Sequence, residues 1–175
     1  EKAGAALPVW DGELYLESHR GTYTTQAANK KANRQMENLL AEVEWIASLR
    51  WLALGAYPAE NLQECWRTVL RNQFHDIIPG SSIREVYEDS RAEYAAVESA
   101  LHTLRSKLLG ELTHPDRNGL VVRNPASVSR GDCVLLPVSG EDVVCTMDGQ
   151  PLETQKIPGG LLARMEMPAL AMGPF

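Results

Sequence analysis

Over about the first two-thirds of the chain, apolar residues recur at steps of three and four; beyond residue 118 that rhythm gives way to short apolar runs between turn signals. From about Thr25 to Leu54 the stripe is Met36, Leu39, Leu40, Val43, Ile46 and Ala47, the spacing of an amphipathic helix, with Gly55 and Pro58 punctuating its end. Thr24 or Thr25 reads as its N-cap, and Lys30, Lys31 and Arg34 as its exposed face. A second helix is expected from Ala59, with Leu62, Cys65, Trp66, Val69, Leu70 and Gln73 on one face. It runs through Phe74, His75 and Asp76 until Pro79-Gly80 stops it. Ser81 or Ser82 then caps a third helix, with Glu85 completing a capping box. The third helix carries the most regular seam: Ile83, Tyr87, Ser90, Tyr94, Val97, Leu101, Leu104 and Leu108. Short connections make the three helices neighbours, so the seam reads as the core of an antiparallel three-helix bundle.

After His114-Pro115 the turn signals are Asn118-Gly119, Asn124-Pro125, Ser139-Gly140, Asp148-Gly149 and Pro158-Gly159-Gly160. They separate the runs LVV, CVLLP, DVVCTM and LLARMEM, which read as strands. The fold class is therefore α+β: a helical bundle over residues 25–115, then part of a β-sandwich-like domain over 116–175. Near the start, Leu14 and Leu16 alternate with Tyr15 and Glu17 as a short strand, followed by a polar loop, Ser18 to Thr22.

Composition narrows the function classes. A net charge of -6 excludes an electrostatic case for nucleic acid as a partner. No apolar run approaches the roughly 20 residues needed to cross a bilayer, so no membrane partner is expected. Cys65, Cys133 and Cys145 lack close spacing and fit free thiols in a reducing, cytoplasmic setting. The chain starts without Met and stops within a β-rich stretch, which reads as a piece of something longer.

Two polar clusters could carry chemistry. In NQFHDIIPGSS, residues 72–82, an imidazole and a carboxylate stand side by side before a Pro-Gly turn. His75 could bind a metal or a sugar there, or simply cap the helix, where a cationic His favours the dipole. One His and one Asp do not complete a zinc site, which takes three or four ligands. The second cluster, ELYLESHRGTYTTQAANKKANR over residues 13–34, offers His19, Arg20 and Thr22 between a strand and a helix, either as binding groups or as a solvated connector. Phosphate-loop, nucleophile-elbow and H-E-x-x-H motifs do not occur. Glu42, Glu44, Glu88 and Glu93 read as solvent faces.

Taken together, ELYLESHRGTYTTQAANKKANR, LRNQFHDIIPGSSI and VYEDSRAEY resemble, in order and spacing, the family 38 glycoside hydrolases, the class II α-mannosidases, and most nearly the bacterial and cytosolic branch. The resemblance covers residues 10–115 and is weaker in VVRNPASVSRGDCVLLP and MPALAMGPF, which are similar to that family's opening C-terminal strands. It implies that residues 1–24 end a catalytic barrel, that the bundle follows, and that the β-domain then begins. It makes His75 a ligand of one zinc ion, whose other ligands come from the barrel, and Asp76 its neighbour contacting the sugar, with His19, Arg20 and Thr22 as further substrate contacts. Where the eukaryotic branch often has a second His, this sequence has Phe74.

The implied chemistry is retaining hydrolysis of terminal α-D-mannosides by two carboxyl groups about 5 Å apart. Both belong to the barrel, so no catalytic residue is assigned in this chain and the isolated fragment is expected to be inactive. The implied partners are a mannoside or oligosaccharide substrate and the rest of the parent enzyme, with homo-oligomerisation open. The competing reading from another class is a non-catalytic helical interaction domain with a β appendage.

Overall fold

The computed structural model describes residues 9–12, 17–113, 120–138, 144–146 and 149–174. A short 3-10 helix, Glu17–Tyr23, leads into three long α-helices: α1 (Ala27–Leu54), α2 (Ala59–Asn72) and α3 (Arg84–Leu112). Five strands follow: β1 (Val121–Asn124), β2 (Arg130–Leu136), β3 (Thr154–Ile157), β4 (Gly160–Met167) and β5 (Ala171–Pro174).

The helices close around one apolar core. Met36, Leu39, Leu40, Val43, Ile46 and Ala47 of α1 meet Leu62, Cys65 and Val69 of α2, and Tyr94, Val97, Leu101 and Leu108 of α3. The stripe positions are thus the buried ones, as a 3.6-residue period requires. Cross-helix pairs give the direction of each rod. Asn29–Ser90, Asn33–Tyr94, Glu42–Arg105 and Arg50–Glu111 advance together, so α1 and α3 run parallel. Glu44 accepts from Trp66 while Asn33 accepts from Gln73, so α2 runs against them. This up-down-up order returns the end of α2 to the start of α1.

Several boundaries differ from those expected. α1 starts after Gln26, which sits in the left-handed region (φ 53°, ψ 47°) and makes no side-chain cap, so neither Thr24 nor Thr25 is the N-cap. Its C-terminus is closed by Gly55 at φ 79°, whose N–H donates to the Trp51 carbonyl. α2 stops at Asn72, ahead of His75 and Asp76. Leu70, about 100° around the helix from buried Val69, faces solvent rather than sharing the buried face expected of it. The residue before α3 is Ile83, itself exposed and without a side-chain cap; Ser82 Oγ donates instead to the Asp76 carbonyl.

The strands form two antiparallel sheets, β1 with β5, and β2-β4-β3. β4 buries Leu161, Ala163, Met165 and Met167, every second residue, as a strand with one covered face must. Val122 of β1 packs with Leu136, Ala163 and Met165, so the two sheets share an apolar centre. The expected DVVCTM strand is reduced, over its described residues Val144 to Thr146, to a single bridge between Cys145 and Pro151. The polar strand β3 carries no apolar run that would reveal it; its register comes from pairing with β4.

Candidate functional site

The turn that carries His75 and Asp76 is held before and after the pair. Before it, Asn72 is buried and its Nδ2 donates to the Thr68 carbonyl at 3.0 Å and to Glu93 Oε2 at 2.6 Å. Arg71 Nη2 adds an ion pair to Glu93 Oε1 at 2.6 Å. Gln73 Nε2 donates to Asn33 Oδ1 at 2.9 Å and Glu37 Oε1 at 2.8 Å. The last residues of α2 are therefore fastened to both other helices. Glu93 and Glu42, expected on solvent faces, are instead half-buried partners of arginines on other elements.

After the pair, the main chain is gripped by two long side chains. Tyr87 Oη donates to the Ile77 carbonyl at 3.1 Å and accepts from the Ser82 N–H at 3.0 Å. Lys30 Nζ donates to the carbonyls of Thr25 at 2.6 Å, Ile78 at 2.8 Å and Pro79 at 3.3 Å. Lys30 is thus half-buried, contrary to the exposed face expected of it, and burial lowers its pKa. Within the turn, the N–H groups of Ile77 and Ile78 donate to the Phe74 carbonyl, at 2.8 and 3.0 Å. Gly80 has φ 97°, and a Cβ there would lie 2.7 Å from Thr25 Cγ2 and 2.9 Å from the Thr25 carbonyl oxygen. Only glycine combines that dihedral with that close approach.

Between these anchors the His75–Asp76 pair is open. The side chains of His75 and Asp76 are 78% and 62% exposed, and His75 Nε2 lies 3.5 Å from Asp76 Oδ2. Because α2 has already ended, the two do not diverge as helical neighbours would; the turn brings the carboxylate alongside the ring. Phe74 stacks on the imidazole at a tilted 42°, ring centres 4.2 Å apart, and is itself half exposed.

The first polar cluster is a 3-10 helix rather than a loop. Arg20 is exposed and Thr22 half-buried within it; His19 belongs to the same helix, but its side chain lies outside the described residues, as do Leu14, Tyr15 and Leu16 of the expected strand, whose last residue, Glu17, opens the 3-10 helix instead. Gly21 accepts from the N–H and Oγ1 of Thr25 at 2.7 and 2.6 Å. The two polar clusters therefore meet where Thr25 touches Gly80. Sequence reasoning found both clusters but missed the roles of Lys30 and Thr25, which join them, and of Tyr87, which holds the second.

Among the described residues no three or more His, Cys, Asp or Glu side chains cluster to hold an ion. The donor chemistry at the turn, one accessible imidazole beside one carboxylate, suits a single share of a site completed by other groups. Among the described residues no helix is long and apolar enough to cross a membrane.

Comparison with known proteins agrees with this architecture. A family profile described as alpha mannosidase middle domain matches residues 17–112. The chain is 41% identical over 145 residues to alpha-mannosidase 2C1 of Homo sapiens, over 80% of this chain and 14% of that protein's length. It is 49% identical over 88 residues to an alpha-mannosidase of Saccharomyces cerevisiae, over 49% of this chain and 8% of that one. A solved glycosyl hydrolase family 38 protein from Enterococcus faecalis has the same fold, with TM-score 0.71 and 19% identity over 90% of this chain and 24% of that chain.

Proposed function

The chain belongs to the alpha-mannosidase middle-domain family, and from that premise we infer that it is part of a longer, retaining, zinc-dependent α-mannosidase that hydrolyses terminal α-D-mannosides. The observation that carries the reading is the His75–Asp76 turn: an exposed imidazole and carboxylate on a support tied to α1 and α3 on both sides. A support fixed in this way holds binding groups in place at little further entropic cost when ligand arrives.

We assign His75 as one zinc ligand, through a neutral ring nitrogen, with the other ligands supplied by the remainder of the longer chain. A bound zinc ion would act as a Lewis acid toward the sugar hydroxyls. Asp76 accepts a hydrogen bond from a mannose hydroxyl, as an exposed carboxylate can, and its negative charge favours an oxocarbenium-like transition state. His19, Arg20 and Thr22 are assigned as further substrate contacts; the junction of Thr25 with Gly80 supports this, since it joins their helix to the turn. The nucleophile and the acid/base carboxyl, about 5 Å apart in a retaining enzyme, are assigned to the rest of the protein. Three unpaired cysteines support a cytoplasmic setting.

The test is metal analysis and aryl α-mannoside kinetics on two variants of the full-length protein. His75→Ala should lose zinc and turnover together. Asp76→Asn should retain zinc and lower kcat. Full zinc occupancy with normal turnover in His75→Ala would overturn the assignment.

A further inference from the structure

A lysine with no acidic partner among the described residues links the two polar clusters. We propose that Lys30 is a positioning residue for the His75–Asp76 turn: its ammonium binds the carbonyls of Ile78 and Pro79 to that of Thr25, locking the turn onto the start of α1. The mechanistic half of this proposal rests on the function inferred above; the structural half does not.

The chemistry of the group fits the task. An ammonium carries three rotatable donors and no acceptor, and three main-chain oxygens lie around Nζ, at 2.6, 2.8 and 3.3 Å. Two of them belong to the turn, 48 and 49 residues from Lys30 in sequence, and one to the segment before α1. Hydrogen bonds from a charged donor are stronger than neutral ones, and partial burial at this junction strengthens them further. The segment so held is not at rest by itself. Gln26 occupies the left-handed region, which is costly for a residue with a side chain, and Gly80 is pressed against Thr25. Without the ammonium, the carbonyls of Ile78 and Pro79 lose this tie, and beyond its internal hydrogen bonds the turn keeps the Tyr87 hydroxyl on the Ile77 carbonyl. His75 and Asp76 stand two residues and one residue before Ile77. A shift there displaces both functional side chains, and small misplacements of binding groups are costly to catalysis. Neighbouring Lys31 is exposed and provides an internal control of equal charge.

The experiment uses the full-length protein and three variants: Lys30→Met, which keeps the aliphatic stem, Lys30→Gln as a milder replacement, and Lys31→Met as the control. Hydrogen exchange is followed at the amides of Ile77, Ile78 and Gly80 and at the buried core of α3. In Lys30→Met the turn amides should exchange about tenfold faster or more, with core amides of α3 changed less than about twofold. With an aryl α-mannoside, kcat should fall by about tenfold or more at full zinc occupancy, and Lys31→Met should behave as the parent. Lys30→Gln should fall between, and it decides the matter if Lys30→Met does not fold. Unchanged turn exchange overturns the proposal. So does faster exchange with undiminished kcat. If His75→Ala is itself fully active, the assignment of the His75–Asp76 turn to the site fails, and the exchange measurement alone decides whether Lys30 locks the turn.

Discussion

Glu42 of α1 reaches out of the bundle to Arg123 of β1: its Oε1 lies 2.9 Å from Nε and 2.7 Å from Nη2. Its other oxygen, Oε2, takes Arg105 Nη1 of α3 at 3.2 Å. One carboxylate thus joins two helices and the first sheet. All three side chains are less than one-third exposed, at 19%, 26% and 30%, so this is not an ordinary surface pair.

Removing the carboxylate leaves two half-buried arginines without their shared partner. Glu42→Ala should therefore cost about 1–3 kcal/mol. A double-mutant cycle with Arg123→Met should return a coupling of at least about 0.5 kcal/mol, read from denaturant midpoints. Additive losses would show that the joint between helices and sheet rests on apolar contacts instead.

Leu101 is fully buried at the centre of the α3 seam, whereas Leu70 on α2 is 56% exposed. Leu101→Ala should destabilise by about 2–5 kcal/mol, through lost transfer energy plus a cavity. Leu70→Ala should change stability by no more than about 0.5 kcal/mol. Urea unfolding of the two variants side by side measures the contrast.

Gly80→Ala meets two obstacles at once, the positive φ of 97° and the Thr25 side chain. The dihedral alone should cost about 1–2 kcal/mol. Because the strain falls on the turn, activity in the full-length protein should drop more steeply than thermal stability. Equal activity at reduced melting temperature would detach Gly80 from the site.

Tyr94 is buried, and its phenol is pushed up to about 12, first by burial and then by the carboxylates of Glu37 and Glu93. The neutral form is the one the folded state prefers, and its Oη donates to Asn33 Oδ1 at 3.3 Å. The unfolded chain gives up this proton first, near the ordinary tyrosine value of about 10. This contribution to stability should therefore be complete below about pH 10 and be lost as pH rises toward 12. Urea midpoints across that range should slope less in Tyr94→Phe than in the parent. Tyr57 is raised in the same direction, so a residual slope should remain.

The helices, their shared core and the α+β order are legible in the sequence, because the information is local. A stripe at Met36, Leu40, Val43 and Ala47 can be buried only on one side of a helix, and the seam from Tyr87 to Leu108 needs a partner. The sequence also marked the His75–Asp76 segment, since a titratable pair before Pro-Gly is locally conspicuous. Tertiary structure alone decided that α2 ends before that pair, that Glu42 and Glu93 are structural rather than solvated, and that Thr154–Ile157 is a strand. Lys30 shows the reason most plainly. Its charge and position match those of any exposed helical lysine, and its acceptors are main-chain carbonyls, which every residue possesses. No side-chain pattern can encode a bond to a carbonyl 48 residues away; that bond exists only once the chain has folded back on itself.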